Sequence, residues 1–201
     1  LISQGGFYNV GEIKIGIQSI CLEEDAAKIL GEEGTIRKFG LERLGVPLVE
    51  IATDPFEVDL SEIKKIIKQT QTNKLKIVPK FGLQFFYSKN GRKFLETFKK
   101  DFWLDLKIND IPQTALSAVD SLKDLKQCKY ITVHANGGFE MLRSIKKKAK
   151  LINKQLKVLG VTILTSLNNK SLKDIGHTKS VEQLVLKQAG LIKKSGCDGI
   201  V

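Results

Sequence analysis

Along most of the chain, short apolar runs alternate with stretches in which apolar positions recur every three or four residues. The runs 102–107 (FWLDLK), 130–134 (YITVH) and 158–164 (VLGVTIL) are mostly continuous in hydrophobicity, as strands covered on both faces are. Between and around them the spacing changes to that of amphipathic helices and predicts helices over 91–100, 113–125, 139–152 and 181–195. Upstream, 46–53 (VPLVEIAT) and 76–78 (KIV) predict strands, and Ile63, Ile66 and Ile67 follow Ser61 at helical spacing. Residues 198–201 (DGIV) begin one more strand. From residue 46 onward the order is therefore strand then helix, repeated, with about six strands in all.

Regular βα units of roughly 25–30 residues suggest a (β/α)8 barrel or a doubly wound sheet. No GxGxxG follows a strand, which weakens the dinucleotide-binding version. The fold class is read as α/β: an incomplete (β/α)8 TIM barrel over 46–201, with about six of eight strands, behind a short β-rich leader over 1–45. Within the leader, 7–22 predicts strands and turns, and 23–30 predicts a short helical turn closed near Gly31 and Gly34.

Composition changes near the same place. Residues 1–56 hold 5 basic and 9 acidic residues and 8 of the 17 glycines, whereas 57–201 holds 28 basic and 13 acidic residues. A step this sharp marks a junction between unlike segments. The excess of positive charge does not by itself imply a nucleic-acid partner. Only Arg37, Arg43, Arg92 and Arg143 are arginines, and the lysines are dispersed over amphipathic helices. The densest run, 146–148, follows a helical pattern and is expected to face water. No apolar run reaches the ~18 residues a membrane helix needs. Three cysteines, Cys21, Cys128 and Cys197, lie far apart without a CxxC pair, which suits a reducing cytoplasm better than a disulfide framework or zinc site. The opening Leu1-Ile2-Ser3-Gln4 reads as a fragment edge rather than a signal peptide.

Polar residues gather where the strands end: Lys80, Asp105, Lys107, Asp110, His134, Thr165 and Ser166. In a barrel that rim is where chemistry is done. Along a regular strand positions 105 and 107 face the same side. A carboxylate and an ammonium side by side hold each other ionised. They are either a plain strand-end ion pair or a charged pair offered to a substrate. A carboxylate set against a substrate carboxylate, with an amine ready to deliver a proton, would suit loss of CO2 and protonation of the carbanion left behind.

The segment DLKINDIPQT (105–114), followed by VHANGG (133–138), VTILTSL (161–167) and CDGIV (197–201), resembles the orotidine 5′-phosphate decarboxylase family in order and spacing. The resemblance covers about residues 58–201. It implies a (β/α)8 barrel that works as a homodimer on a nucleotide, orotidine 5′-phosphate, and yields UMP in pyrimidine biosynthesis without metal or organic cofactor. Carried over by motif, Lys107 would protonate C6 of the ring and Asp105 would lie against the substrate carboxylate. Lys80, in PKFGLQFF, would complete the Asp–Lys network and touch the ribose. Asp110 would enter the partner's site with Thr114 beside it, and Ser166 would hydrogen-bond the base. His134 is expected to pack as a strand-end residue and His177 to lie in a surface loop. The family's phosphate grip follows its last two strands, which the resemblance does not reach, so the chain as given is expected to be weak or inactive.

Residues 1–56 are different: ISQGGFYNV, IGIQSICLEEDAAKI and LERLGVPLVEIATDP resemble the tRNA-dependent amidotransferase B/E subunit. There Glu24 would match a Mg2+ ligand, though the companion ligands are missing and an acidic turn is the plainer reading. The chain thus reads as two pieces joined near 54–60, and the alternative function is that of an amidotransferase fragment acting in tRNA-dependent amidation. The strand VEIATD has nearly the form of a decarboxylase's first strand. It would place Asp54 as a ribose ligand if it took the first barrel slot; otherwise Asp54 is only the residue before Pro55.

Overall fold

One long strand organises the N-terminal unit. The structure, a computed structural model, describes residues 2–10, 12–23, 28–33, 36–40, 48–53, 60–70, 72, 74 and 77–201, and divides into two units, Leu1–Leu75 and Lys76–Val201. In the first, β1 (Ser3–Gln4) and β2 (Phe7–Val10) both pair antiparallel with β3 (Ile13–Glu23), with Val10 opposite Ile13 in a tight hairpin. β4 (Lys28–Glu33) and β5 (Ile36–Gly40) form a separate antiparallel pair. The helical turn expected over 23–30 is therefore corrected: 28–30 belong to a strand. Eight residues are too few to nucleate a helix alone, and the glycines that follow disfavour its continuation.

β6 (Leu48–Thr53) pairs antiparallel with β3, with Ile51 opposite Ile20. The slot considered for it, first in a parallel barrel sheet, is thus not the one it takes. Asp54 and Glu24 lie outside the described residues. α1 (Leu60–Thr70) follows, with Ile67 buried, Glu62 in its first turn and Lys68 in its last, each where the helix dipole favours its charge.

The second unit is a parallel α/β sheet. Its elements are β7 (Lys80–Gly82), α2 (Leu83–Tyr87), α3 (Gly91–Thr97), β8 (Phe102–Ile108), α4 (Pro112–Asp120), β9 (Cys128–His134), α5 (Gly138–Ile152), β10 (Lys157–Val161), α6 (Asn169–Asp174), α7 (Val181–Ser195) and β11 (Gly199–Ile200). The strands lie in the order β11-β10-β9-β8-β7, all parallel. Five strands, not six, make this sheet among the described residues. The strand expected at 76–78 lies at Lys80–Gly82 instead. Pro79 has no N–H to give the ladder, and only its carbonyl joins it, accepting from Trp103 N–H at 2.9 Å.

Alternation along β8 separates two faces. Phe102 and Leu104 are fully buried on the helix side, with Phe102 in an aromatic cluster of Phe81, Phe94 and Phe98 whose centroids lie 5.4–5.9 Å apart. Trp103, Asp105 and Lys107 are half-buried on the other side. Across the sheet, register puts Tyr130 beside Trp103 and Ile131 beside Leu104, so β9 repeats the division. α5 buries Met141, Leu142, Ile145 and Ala149 along one stripe and packs on α4, α7 and β10. Its lysine run is split. Lys147 is exposed, but Lys146 pairs with Asp198 and Lys148 pairs with Asp120 at 2.7 Å.

Candidate active site

Three charged side chains meet on the inner face of the parallel sheet. Lys107 Nζ donates to Asp105 Oδ2 at 2.8 Å, and Lys80 Nζ lies 3.8 Å from the same oxygen. Lys80 opens β7 opposite Trp103, two register positions below Asp105, and its long stem carries the ammonium past the Trp103 ring at 5.1 Å. Asp105 is the shielded member, its side chain 14% exposed, while the two ammonium side chains remain 34% and 36% exposed. The cluster is therefore closed behind the carboxylate and open in front of the amines.

Burial alone would push the Asp105 carboxyl up. The hydrogen bonds from Lys107 and Thr132 and the charges of Lys107 and Lys80 outweigh it and hold the group below its ordinary value. Asp105 is thus an anion held between cations.

The backbone that presents this pair is irregular. Leu104 faces Ile131 and Ile108 faces Val133, so β8 sets residues 105–107 against the single residue 132 of β9. Within that bulge Lys107 takes φ +45°, the one positive φ outside glycine among the described residues. A side chain held there costs about 1–3 kcal/mol and persists only where the surroundings over-determine it. Spacing suggested that 105 and 107 share a side by regular alternation; they do meet, but through a bulge.

Two neighbours were missed or read differently from the sequence. Thr132 is completely buried, donates to Asp105 Oδ1 at 2.7 Å and accepts from Lys107 N–H at 2.8 Å. A threonine in an apolar run reads only as a strand former, and its position two residues before His134 was the sole available signal. His134 is buried as expected, but no protein group pairs with its Nδ1. Burial, and after it the Lys107 charge, pushes its pKa down, so it stays neutral.

The other candidates are not drawn into the cluster. Asp110 is exposed in the loop before α4 and its Oδ1 accepts from Ile111 N–H at 2.7 Å. Thr114 is exposed in the first turn of α4, which Pro112 opens. Ser166 is exposed in the turn after β10, which Leu167 N–H closes onto the Leu164 carbonyl at 2.9 Å. Cys128 is no nucleophile, since burial raises its thiol to about 12.

A family model described as orotidine 5′-phosphate decarboxylase / HUMPS family matches residues 51–201. Another, the GatB/GatE catalytic domain, matches residues 2–79, so both include the stretch where the composition changes. The orotidine 5′-phosphate decarboxylase of Staphylococcus epidermidis is 37% identical over 126 residues, covering 61% of this chain and 54% of that protein. The one from Sphingopyxis alaskensis is 40% identical over 125 residues with the same coverage. The chain thus spans about half the length of the curated relatives it matches. Among solved structures, orotidine 5′-phosphate decarboxylase from Lactobacillus acidophilus is 29% identical with a TM-score of 0.61, covering 72% of this chain and 67% of that one. This likeness makes the parallel sheet part of a (β/α)8 barrel.

Proposed function

This chain belongs to the orotidine 5′-phosphate decarboxylase / HUMPS family, and from that premise we propose that its C-terminal unit carries the catalytic cluster for decarboxylating orotidine 5′-phosphate to UMP. The observation that supports this best is the convergence of Lys80, Asp105 and Lys107 on one half-open face.

The cluster suits the reaction. Asp105, already ionised, crowds the substrate carboxylate and favours its departure as CO2. The C6–carboxyl bond breaks and its electron pair stays on C6. Lys107 gives C6 a proton and recovers one from water. Lys80 steadies Asp105 and reaches the ribose, and Ser166 binds the base. Asp110 and Thr114, exposed at the start of α4, serve a partner's site in a homodimer in the cytoplasm. Preorganised charge of this kind acts without reorganisation during the reaction.

The match over residues 2–79 favours a second reading for that segment alone, as a piece of a tRNA-dependent amidotransferase. Calorimetric titration with 6-azauridine 5′-monophosphate, together with release of labelled CO2 from carboxyl-labelled orotidine 5′-phosphate, tests the first reading. A gel shift with tRNA tests the second. Binding of the nucleotide without a tRNA shift is the expected result; a tRNA shift without nucleotide binding or CO2 release would reverse the order of the two readings.

A further inference from the structure

The bulge in β8 leaves one residue of β9 to satisfy three. Between the pairs Leu104–Ile131 and Ile108–Val133, only Thr132 faces residues 105–107. Its backbone cannot match all three, and its side chain supplies what the ladder lacks. Thr132 Oγ1 accepts from Lys107 N–H at 2.8 Å and donates to Asp105 Oδ1 at 2.7 Å.

A hydroxyl has one proton. With an N–H pointing at its oxygen, that proton is directed to the carboxylate. Asp105 is then gripped at both oxygens: Oδ1 by Thr132, Oδ2 by Lys107 at 2.8 Å with Lys80 at 3.8 Å. Rotation of the carboxylate would break one grip or the other. The same hydroxyl holds the peptide of Lys107 at φ +45°, the conformation that sends its ammonium back to Asp105.

We propose that Thr132 is a positioning residue, whose buried hydroxyl fixes the Asp105 carboxylate and the Lys107 backbone together so that acid and amine stay in register for proton delivery. The proposal rests on the decarboxylase reading above. Thr132 is fully buried, so its hydroxyl would act on a substrate through Asp105 and Lys107, the two groups it holds.

The test uses the 201-residue chain with Thr132→Val, which keeps the shape, Thr132→Ala, which adds no bulk, and Thr132→Ser, which keeps the hydroxyl. Carbon-13 NMR titration of the Asp105 carboxyl is one readout and the split between kcat and KM for orotidine 5′-phosphate is the other. Loss of the hydroxyl should raise the Asp105 titration toward its ordinary range and lower kcat by at least ~10-fold, as misplaced reacting groups do, with KM changed much less. Thr132→Ser should restore both. A folded Thr132→Val or Thr132→Ala protein with the parent's Asp105 titration and kcat would overturn the proposal while leaving the decarboxylase reading intact. If the parent neither binds 6-azauridine 5′-monophosphate nor releases CO2, that reading fails for this chain, and the Asp105 titration alone decides the role of Thr132. If neither hydroxyl-free variant folds, the hydroxyl is a requirement of the fold and the positioning role is overturned.

Discussion

Lys107 reaches Asp105 by leaving the regular strand: its ammonium sits 2.8 Å from the carboxylate two residues earlier while its backbone holds φ +45°. The pair is thus made by a bulge that the sheet must sustain. Strain at such a position is what a purely structural ion pair would avoid, since a surface pair contributes only about 0–1 kcal/mol and the burial of Asp105, 14% exposed, adds a desolvation cost that offsets the attraction. A cost of about 1–3 kcal/mol in the backbone exceeds that gain. The stability of the pair therefore does not account for the geometry.

If Lys107 is the proton donor, Lys107→Ala removes it without touching the core. The expected loss is about 10²–10⁴-fold in CO2 release, the usual worth of a positioned acid. Release of labelled CO2 under saturating substrate measures it. A variant with the parent's rate would remove Lys107 from the mechanism.

The strain itself is measurable apart from activity. Lys107→Ala and Lys107→Gly both delete the ammonium, but only glycine is at ease at positive φ. Lys107→Gly should therefore be more stable than Lys107→Ala by about 1–2 kcal/mol. Urea midpoints of the two variants give the difference, and equal midpoints would mean that the backbone at 107 is unstrained.

Packing between β10 and α7 leaves no room at Gly160. A Cβ there would lie 2.5–2.6 Å from Cγ1, Cδ1 and Cγ2 of Ile192, which is 1% exposed. Gly160→Ala should cost about 1–3 kcal/mol by overpacking. Ile192→Ala alone should cost about 2–5 kcal/mol through the cavity it opens. Together they should cost less than the two singles added, because each relieves the other. Additive urea midpoints would show that the two sites do not touch.

What could be read in advance follows from how local each signal is. α7 matches its predicted span, and local signals mark both of its ends: Ser180 and Gln183 form a capping box, and Gly196 takes a left-handed C-cap at φ 80°. Asp105 and Lys107 were legible as a pair because two residues of spacing carry that information. The bulge between them was not, since a register shift depends on β9, twenty-odd residues away, and nothing in DLKIND signals it. The partner of β6 was illegible for the same reason. LVEIAT suits an antiparallel neighbour as well as a parallel one, and only the pairing with β3 decides. Thr132 escaped notice because its function lies in its hydroxyl, while its local pattern speaks only of its shape.

The cluster also writes itself into the pH dependence of stability, in two separate windows. His134 ordinarily titrates near 6.5, and burial with the nearby Lys107 charge pushes it lower in the folded protein. Between the folded value and 6.5 the unfolded chain binds a proton that the folded chain refuses. Its contribution is therefore complete above 6.5 and declines as pH falls from there to the folded value. Asp105, also lowered, keeps its contribution down to its ordinary 3.8 and loses it as pH falls further, through the lowered value. Urea midpoints measured between about pH 7 and pH 5, the range in which an ordinary histidine changes charge, should drop for the parent. They should drop less for His134→Gln, which has nothing to titrate there. Parallel curves for the two proteins would mean that the imidazole is free to take up its proton inside the folded sheet, and that the Lys107 ammonium is not close enough to oppose it.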